Sequence, residues 1–89
     1  AVQQRSNGHW ATESCSSHLH FACQSLDNNL DWIVSKSSGP WSHGTDACPT
    51  GYAFAVPAND PRNDALAKAL AAVPASEAAV WLNYQAKPL

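Results

Sequence analysis

The chain has 89 residues, of which 13% are charged, and its formal net charge at pH 7 is −2. A chain of this length is expected to form one domain, residues 1–89, that buries about 60–65% of its unfolded surface. The sequence has neither the basic face of a nucleic-acid-binding protein nor an apolar run that approaches a membrane span.

Three cysteines, Cys15, Cys23 and Cys48, occur in a small chain that also carries four tryptophans. This composition predicts an oxidising compartment, and hence a secreted or extracellular protein. The odd number leaves one thiol outside any intramolecular pair. The first residues lack the basic and apolar regions of a signal peptide, which predicts a mature or excised domain.

The first half of the chain is predicted to form strands. Residues 1–4 and 9–15 are candidates for a short strand and an edge strand, with a turn signal at Asn7-Gly8 between them. Residues 18–24 alternate in hydropathy, which predicts a strand with one buried face. Residues 25–31 are predicted to form a hairpin loop, because Asn and Asp tolerate left-handed backbone angles and cap their own turns.

The second half mixes helices and strands. The segment WIV at residues 32–34 is predicted to be a strand that pairs with HFACQ, and SKSSGP after it to be a loop. Asp60 is predicted to cap a helix that runs to Val73, with Pro61 at its first position. The remaining predictions are a short helix at residues 41–48 and strands at residues 52–56 and 80–84. Together these elements predict an α+β domain with a small antiparallel sheet and two helices.

The order of these motifs resembles that of the C-type lectin-like domain, circularly permuted. That family ends with a Trp- and Cys-bearing strand and then an F-x-C-[EQ] strand, which HWATESC and HFACQ match. The family's earlier elements are matched in order by WIV, WSHGTDAC, YAFAVP, NDPRNDALAKAL and VWLNY. The resemblance covers most of the chain. A slice across two tandem domains is the alternative to permutation.

The resemblance implies recognition without calcium and without a cofactor. In sugar-binding members a Trp-Asn-Asp triplet before a cysteine contributes oxygen ligands to Ca²⁺. Ala11 and Thr12 follow Trp10 at the positions of the Asn and the Asp, and the family's long ligand-binding loop is absent. We expect millimolar Ca²⁺ to leave the melting temperature unchanged, and we expect no metal site.

The resemblance also implies a disulfide between Cys23 and Cys48. The rival pair, Cys15 with Cys23, closes a shorter loop, and the energies of the two loops do not decide between them. In the family pairing Cys15 is left free or forms an intermolecular bond, which makes a dimer through Cys15 an expected partner state.

The ligand site implied by the resemblance lies where the two chain ends meet. His9, Trp10, Asn83 and Tyr84 are expected to cluster there and to bind a neutral polyhydroxylated or mixed apolar and polar ligand. The alternative is that these side chains only cover the place where the family's long loop is missing and hold the two chain ends together.

Other chemistry is less well supported by the residues. His18 and His20 share a strand face and could bind zinc or copper with His9 or His43, but solvent-facing strand residues are favoured. Ser42, His43 and Asp46 are close in sequence, yet no nucleophile elbow is present. The chain is therefore predicted not to be an enzyme.

Two functions follow from this reading. The first is a calcium-independent extracellular recognition module, accessory to a larger protein, that binds a glycan or another cell-surface ligand such as a protein. The second is a structural or protein-interaction domain, such as an inhibitor or a dimerisation piece, with no small-molecule ligand.

Overall fold

The computed structural model describes residues 1–4, 8–14, 16–73 and 79–84. These residues form an α+β domain with a 3₁₀ helix at Trp41–Asp46 and one α-helix, α1, at Asp60–Ala71. The strands are β1 (Val2–Gln4), β2 (Trp10–Ala11), β3 (Leu19–Ser25), β4 (Trp32–Gly39), β5 (Tyr52–Phe54) and β6 (Ala79–Trp81). The predicted class of a small α+β domain with two helices is confirmed at this level.

The strands form one mixed sheet in the order β2-β1-β6-β3-β4, and β5 also pairs with β3. The prediction of a purely antiparallel sheet is wrong, because β3 and β6 are parallel. One edge of β3 is occupied by β4, so β5 and β6 share the other edge. Strand β5 is antiparallel to β3. Strand β6, which follows α1, runs opposite to β5 and is therefore parallel to β3.

The strands β3 and β4 are antiparallel neighbours, as predicted. However, β4 continues to Gly39 through residues that were predicted to form a loop. The pairing passes over a bulge in β4 opposite Phe21, where the Ser35 hydroxyl accepts from the Phe21 N–H (2.9 Å) and donates to the Ser37 carbonyl (2.7 Å). The serine side chain therefore replaces ladder bonds that the bulge interrupts.

The loop between β3 and β4 is held by side-chain hydrogen bonds. Ser25 Oγ accepts from the N–H groups of Asp27 and Asn28, and Asn28 Oδ1 accepts from the N–H of Leu30. No described residue other than glycine has a positive φ. The hairpin loop forms as predicted, but through capping and not through left-handed backbone angles.

Both faces of the sheet are covered. On one face Ala22 and Val80 pack against Leu66 and Leu70 of α1. On the other face Phe21 and Trp81 pack with half-buried side chains that include Trp41 of the 3₁₀ helix. The prediction of one buried face on β3 is therefore wrong for its centre, where three consecutive residues, Phe21, Ala22 and Cys23, are buried.

The disulfide between Cys23 and Cys48 that the resemblance implies is present, with Cα atoms 5.7 Å apart. It attaches the segment after the 3₁₀ helix to the central strand β3. Cys15 lies outside the described residues, so its free or intermolecular state stays a prediction.

The predicted ends of α1 need correction by one or two residues. Asn59 is the N-cap, because its Oδ1 accepts from the Arg62 N–H (3.1 Å), and Asp60 is already helical. The helix ends at Ala71 and not at Val73. Helix α1 is too short and too polar to cross a membrane, and no other helix of the described residues could do so.

Candidate functional site

Two of the four predicted site residues come into contact at one end of the sheet. The ring centroids of Trp10 and Tyr84 lie 6.1 Å apart, and the ring planes are tilted by 44°. Their exposed fractions are 43% and 51%, so both rings offer surface to solvent. We refer to Trp10 and Tyr84 as the aromatic pair.

The aromatic pair is held by strand β1 and its neighbours. Gln3 pairs with Trp10 on one side of β1 and with Val80 on the other. The amino group of Ala1 donates to the Tyr84 carbonyl (2.7 Å). The first residues of the chain therefore connect the segment after β6 to β2, which brings the two rings together.

The other two predicted residues have different surroundings. His9 is exposed and lines a cleft beside Trp10. Asn83 is also exposed, but its Nδ2 donates to the Phe54 carbonyl at the end of β5 (3.1 Å). One hydrogen bond of the Asn83 amide is thus made within the fold.

Asn63 of α1 is a site residue that sequence reasoning missed. Its Oδ1 accepts from the Trp10 indole N–H (2.9 Å), and its Nδ2 donates to the Gly8 carbonyl (3.2 Å). Its own carbonyl accepts from Nε2 of the buried Gln3 (3.3 Å). The only signal in the sequence was an asparagine inside a helix, where this residue is a poor helix former. Asn63 fixes the indole against the start of α1.

The cleft next to Trp10 has a volume of about 460 Å³. It lies between the β1–β2 turn and the start of α1, and its lining consists of Gly8, His9, Trp10, Pro57, Ala58, Asn59, Asp60 and Asn63. None of these residues is Lys or Arg. Asp60 is exposed, and no hydrogen bond or ion pair from a described residue reaches its carboxylate. The described lining therefore combines one carboxylate with an aromatic wall.

The predicted metal candidates do not form a cluster in the described part of the chain. Those residues contain no group of three or more His, Cys, Asp or Glu side chains suited to a metal ion. The Nδ1 atom of His20 lies 2.6 Å from the Ser35 carbonyl, so this side chain belongs to the β4 bulge.

Two further cavities differ from the cleft in character. A cavity of about 610 Å³ lies between β4 and residues 46–49, beside the disulfide, and its surface is largely apolar. Another of about 480 Å³ separates the hairpin loop from α1 and is lined by Asp31, Asp64 and Lys68 among others. Neither contains an exposed aromatic pair.

Comparison with known proteins gives one relative. No family model and no solved structure matches the chain. A 50-residue segment is 34% identical to part of a maintenance of telomere capping protein 6 from Lodderomyces elongisporus. The match covers 54% of this chain and 8% of that protein, so the chain spans a small part of the relative's length.

This relative overturns two predictions. Its name refers to telomere capping, which concerns chromosome ends, and that role conflicts with an extracellular module. The prediction of an extracellular module that binds a glycan or cell-surface ligand is therefore wrong, as is the prediction of a secreted location. The location was predicted from the cysteines. The Cys23–Cys48 disulfide stabilises a small core, and it is only weak support for an extracellular location.

Proposed function

We propose that this chain is a protein-interaction module of a longer protein and that it binds its partner through the aromatic pair and the adjoining cleft. The observation that carries the proposal is the exposure of two large rings that the fold brings into contact. Trp and Tyr are enriched among the residues that dominate binding energy at protein interfaces, because each ring buries a large area at a small entropic cost.

The rigidity of the aromatic pair supports this reading. Trp10 is hydrogen-bonded through its indole and paired through its strand, and the Tyr84 backbone accepts from Ala1. The domain therefore loses little side-chain freedom at Trp10 when a partner covers it. The relative's name suggests that the longer protein takes part in the maintenance of telomere capping.

A displayed peptide library selected on the wild-type domain tests the proposal. We expect the selected peptides to lose binding to Trp10→Ala and Tyr84→Ala by at least about ten-fold, as for interface hot spots. The matched controls are Leu26→Ala and Leu30→Ala, because these two side chains are also large, apolar and exposed but lie in the hairpin loop. Peptides that depend on the leucines and not on the rings would contradict the proposal.

We also propose that the fold is a circularly permuted C-type lectin-like domain. The counterparts of the family's last and first strands, β3 and β4, are antiparallel neighbours joined by the loop at residues 26–31. The Cys23–Cys48 bond has the family's pairing. An experimental structure whose reordered elements fail to superpose on the family would overturn this proposal.

A further inference from the structure

We infer that the aromatic pair and the Asp60 carboxylate form a binding site for a cationic side chain of a partner protein: a lysine, a methylated lysine or an arginine. The inference rests on the proposed function, because it names the chemistry of the group that the interaction module would bind. It follows from three observations: the geometry of the two rings, the carboxylate in the adjoining cleft, and the hydrogen bonds that nearby amide groups make within the fold.

The geometry of the rings suits a cation. Aromatic faces attract an ammonium or guanidinium group that lies within about 6 Å of the ring centroid, and the attraction is strongest for Trp. The 44° tilt of the aromatic pair prevents the two rings from covering each other's faces in a parallel stack. Both rings therefore keep exposed surface that a cationic head group can contact.

The charge of the cleft also favours a cation. Asp60 is a carboxylate in the lining, it has no partner among the described residues, and none of the described residues that line the cleft is Lys or Arg. Asn63, which binds the Trp10 indole, follows Asp60 by three residues on α1. Residues at this spacing share a helix face, so the carboxylate and the indole border the same space. An anionic ligand would meet a like charge here.

The amide groups of the site are already used within the fold. Asn63 donates to Gly8 and accepts from Trp10, and Asn83 donates to Phe54. Asn83 was expected to hydrogen-bond a polyhydroxylated ligand. Asn63 was not among the predicted residues, but it binds Trp10, which was. The aromatic surface and the carboxylate are the parts of the site that together recognise a positive charge with an apolar stem.

The test compares two small probes in NMR titrations of the ¹⁵N-labelled domain at constant ionic strength. The first probe is N-acetyl-trimethyllysine amide, and the second is its neutral isostere, in which a carbon replaces the quaternary nitrogen. We expect the first probe to shift the Trp10 indole N–H signal with a dissociation constant on the order of millimolar. We expect the neutral isostere to bind at least about ten-fold more weakly.

Two variants and a control locate the site. Tyr84→Ala and Asp60→Asn are each expected to weaken binding of the cationic probe by about five-fold, as for an exposed cation–aromatic or ion-pair contact. Asp64→Asn is the control, because Asp64 lies on α1 but lines a different cavity. Thermal melts of the three variants establish that each is folded.

The outcomes separate this inference from the proposed function. Equal binding of the two probes, or absence of binding by both, overturns the cationic site. The proposal of a protein-interaction module would still hold if the displayed peptides require the aromatic pair for binding. If the cationic probe binds and Asp60→Asn has no effect, the assignment of Asp60 is wrong.

Discussion

Tyr52 and Asp31 form a hydrogen bond between the start of β5 and the end of the hairpin loop. The Tyr52 hydroxyl donates to Asp31 Oδ2 across 2.7 Å. This bond, followed by burial and by the negative charge of Asp31, raises the pKa of Tyr52 above its usual value of 10.0. The folded state therefore favours the protonated phenol.

The raised pKa of Tyr52 predicts a loss of stability at alkaline pH. The protonated Tyr52 hydroxyl stabilises the folded state, and this contribution is fully present below pH 10.0, the usual pKa of tyrosine in an unfolded chain. The contribution is lost as pH rises through the higher pKa of the folded state. The free energies of unfolding of wild type and Tyr52→Phe, measured with urea, should differ at pH 8, and the difference should shrink above pH 10. Other titrating groups are common to both proteins. A difference that grows with pH would contradict the assignment.

The contact between the 3₁₀ helix and β5 depends on a glycine. A Cβ atom built on Gly44 would lie 2.2 Å from two ring carbons of Phe54. The Phe54 ring is itself held edge-on between Phe21 and Trp41. The close approach of the two elements therefore leaves no room for a side chain at position 44.

We predict that Gly44→Ala lowers the free energy of unfolding by about 1–3 kcal/mol, the usual cost of overpacking. Chemical denaturation measures the change. Thr45→Ala is the control, because Thr45 is exposed in the same helix and its replacement should stay within about 0.5 kcal/mol. Equal stability of Gly44→Ala and Thr45→Ala would show that the Phe54 ring moves aside without cost.

The elements themselves were predictable where local signals were strong. Alternation identified β3, and the capping residues near Asn59 identified α1 to within two residues. The second half of β4 was missed because its residues are serine, lysine and glycine, which are typical of loops. Ser35 belongs to a strand because it replaces ladder bonds at the β4 bulge opposite Phe21, and this depends on the neighbouring strand.

At the scale of the whole molecule, the Cys23–Cys48 bond supports a large share of the stability. A loop of 25 residues corresponds to about 3–4 kcal/mol in the chain-entropy model. A domain of 89 residues has a total of roughly 4–13 kcal/mol at typical values per residue. We predict that Cys23→Ala/Cys48→Ala lowers the melting temperature by more than ten degrees, as measured by circular dichroism. An unchanged melting temperature would contradict this.

The candidate site was predictable only in part. The meeting of Trp10 with Tyr84 followed from the expected proximity of the chain ends. The roles of Asn63 and Asp60 could not be predicted in this way, because Asn63 and Trp10 are 53 positions apart in the sequence. Such a contact depends on how α1 docks against the sheet, and no local pattern reports it.

The position of β6 in the sheet has a consequence for the order of folding. This strand comes last among the six, yet it lies between β1 and β3. On the ribosome, the β1–β2 hairpin and the β3–β4–β5 unit can each form early, but no pairing joins them until residues 79–81 emerge. Contacts between distant parts of a sequence slow folding. The nascent domain thus exposes two unpaired strand edges until β6 has been synthesised, and a chain truncated before β6 would keep them exposed.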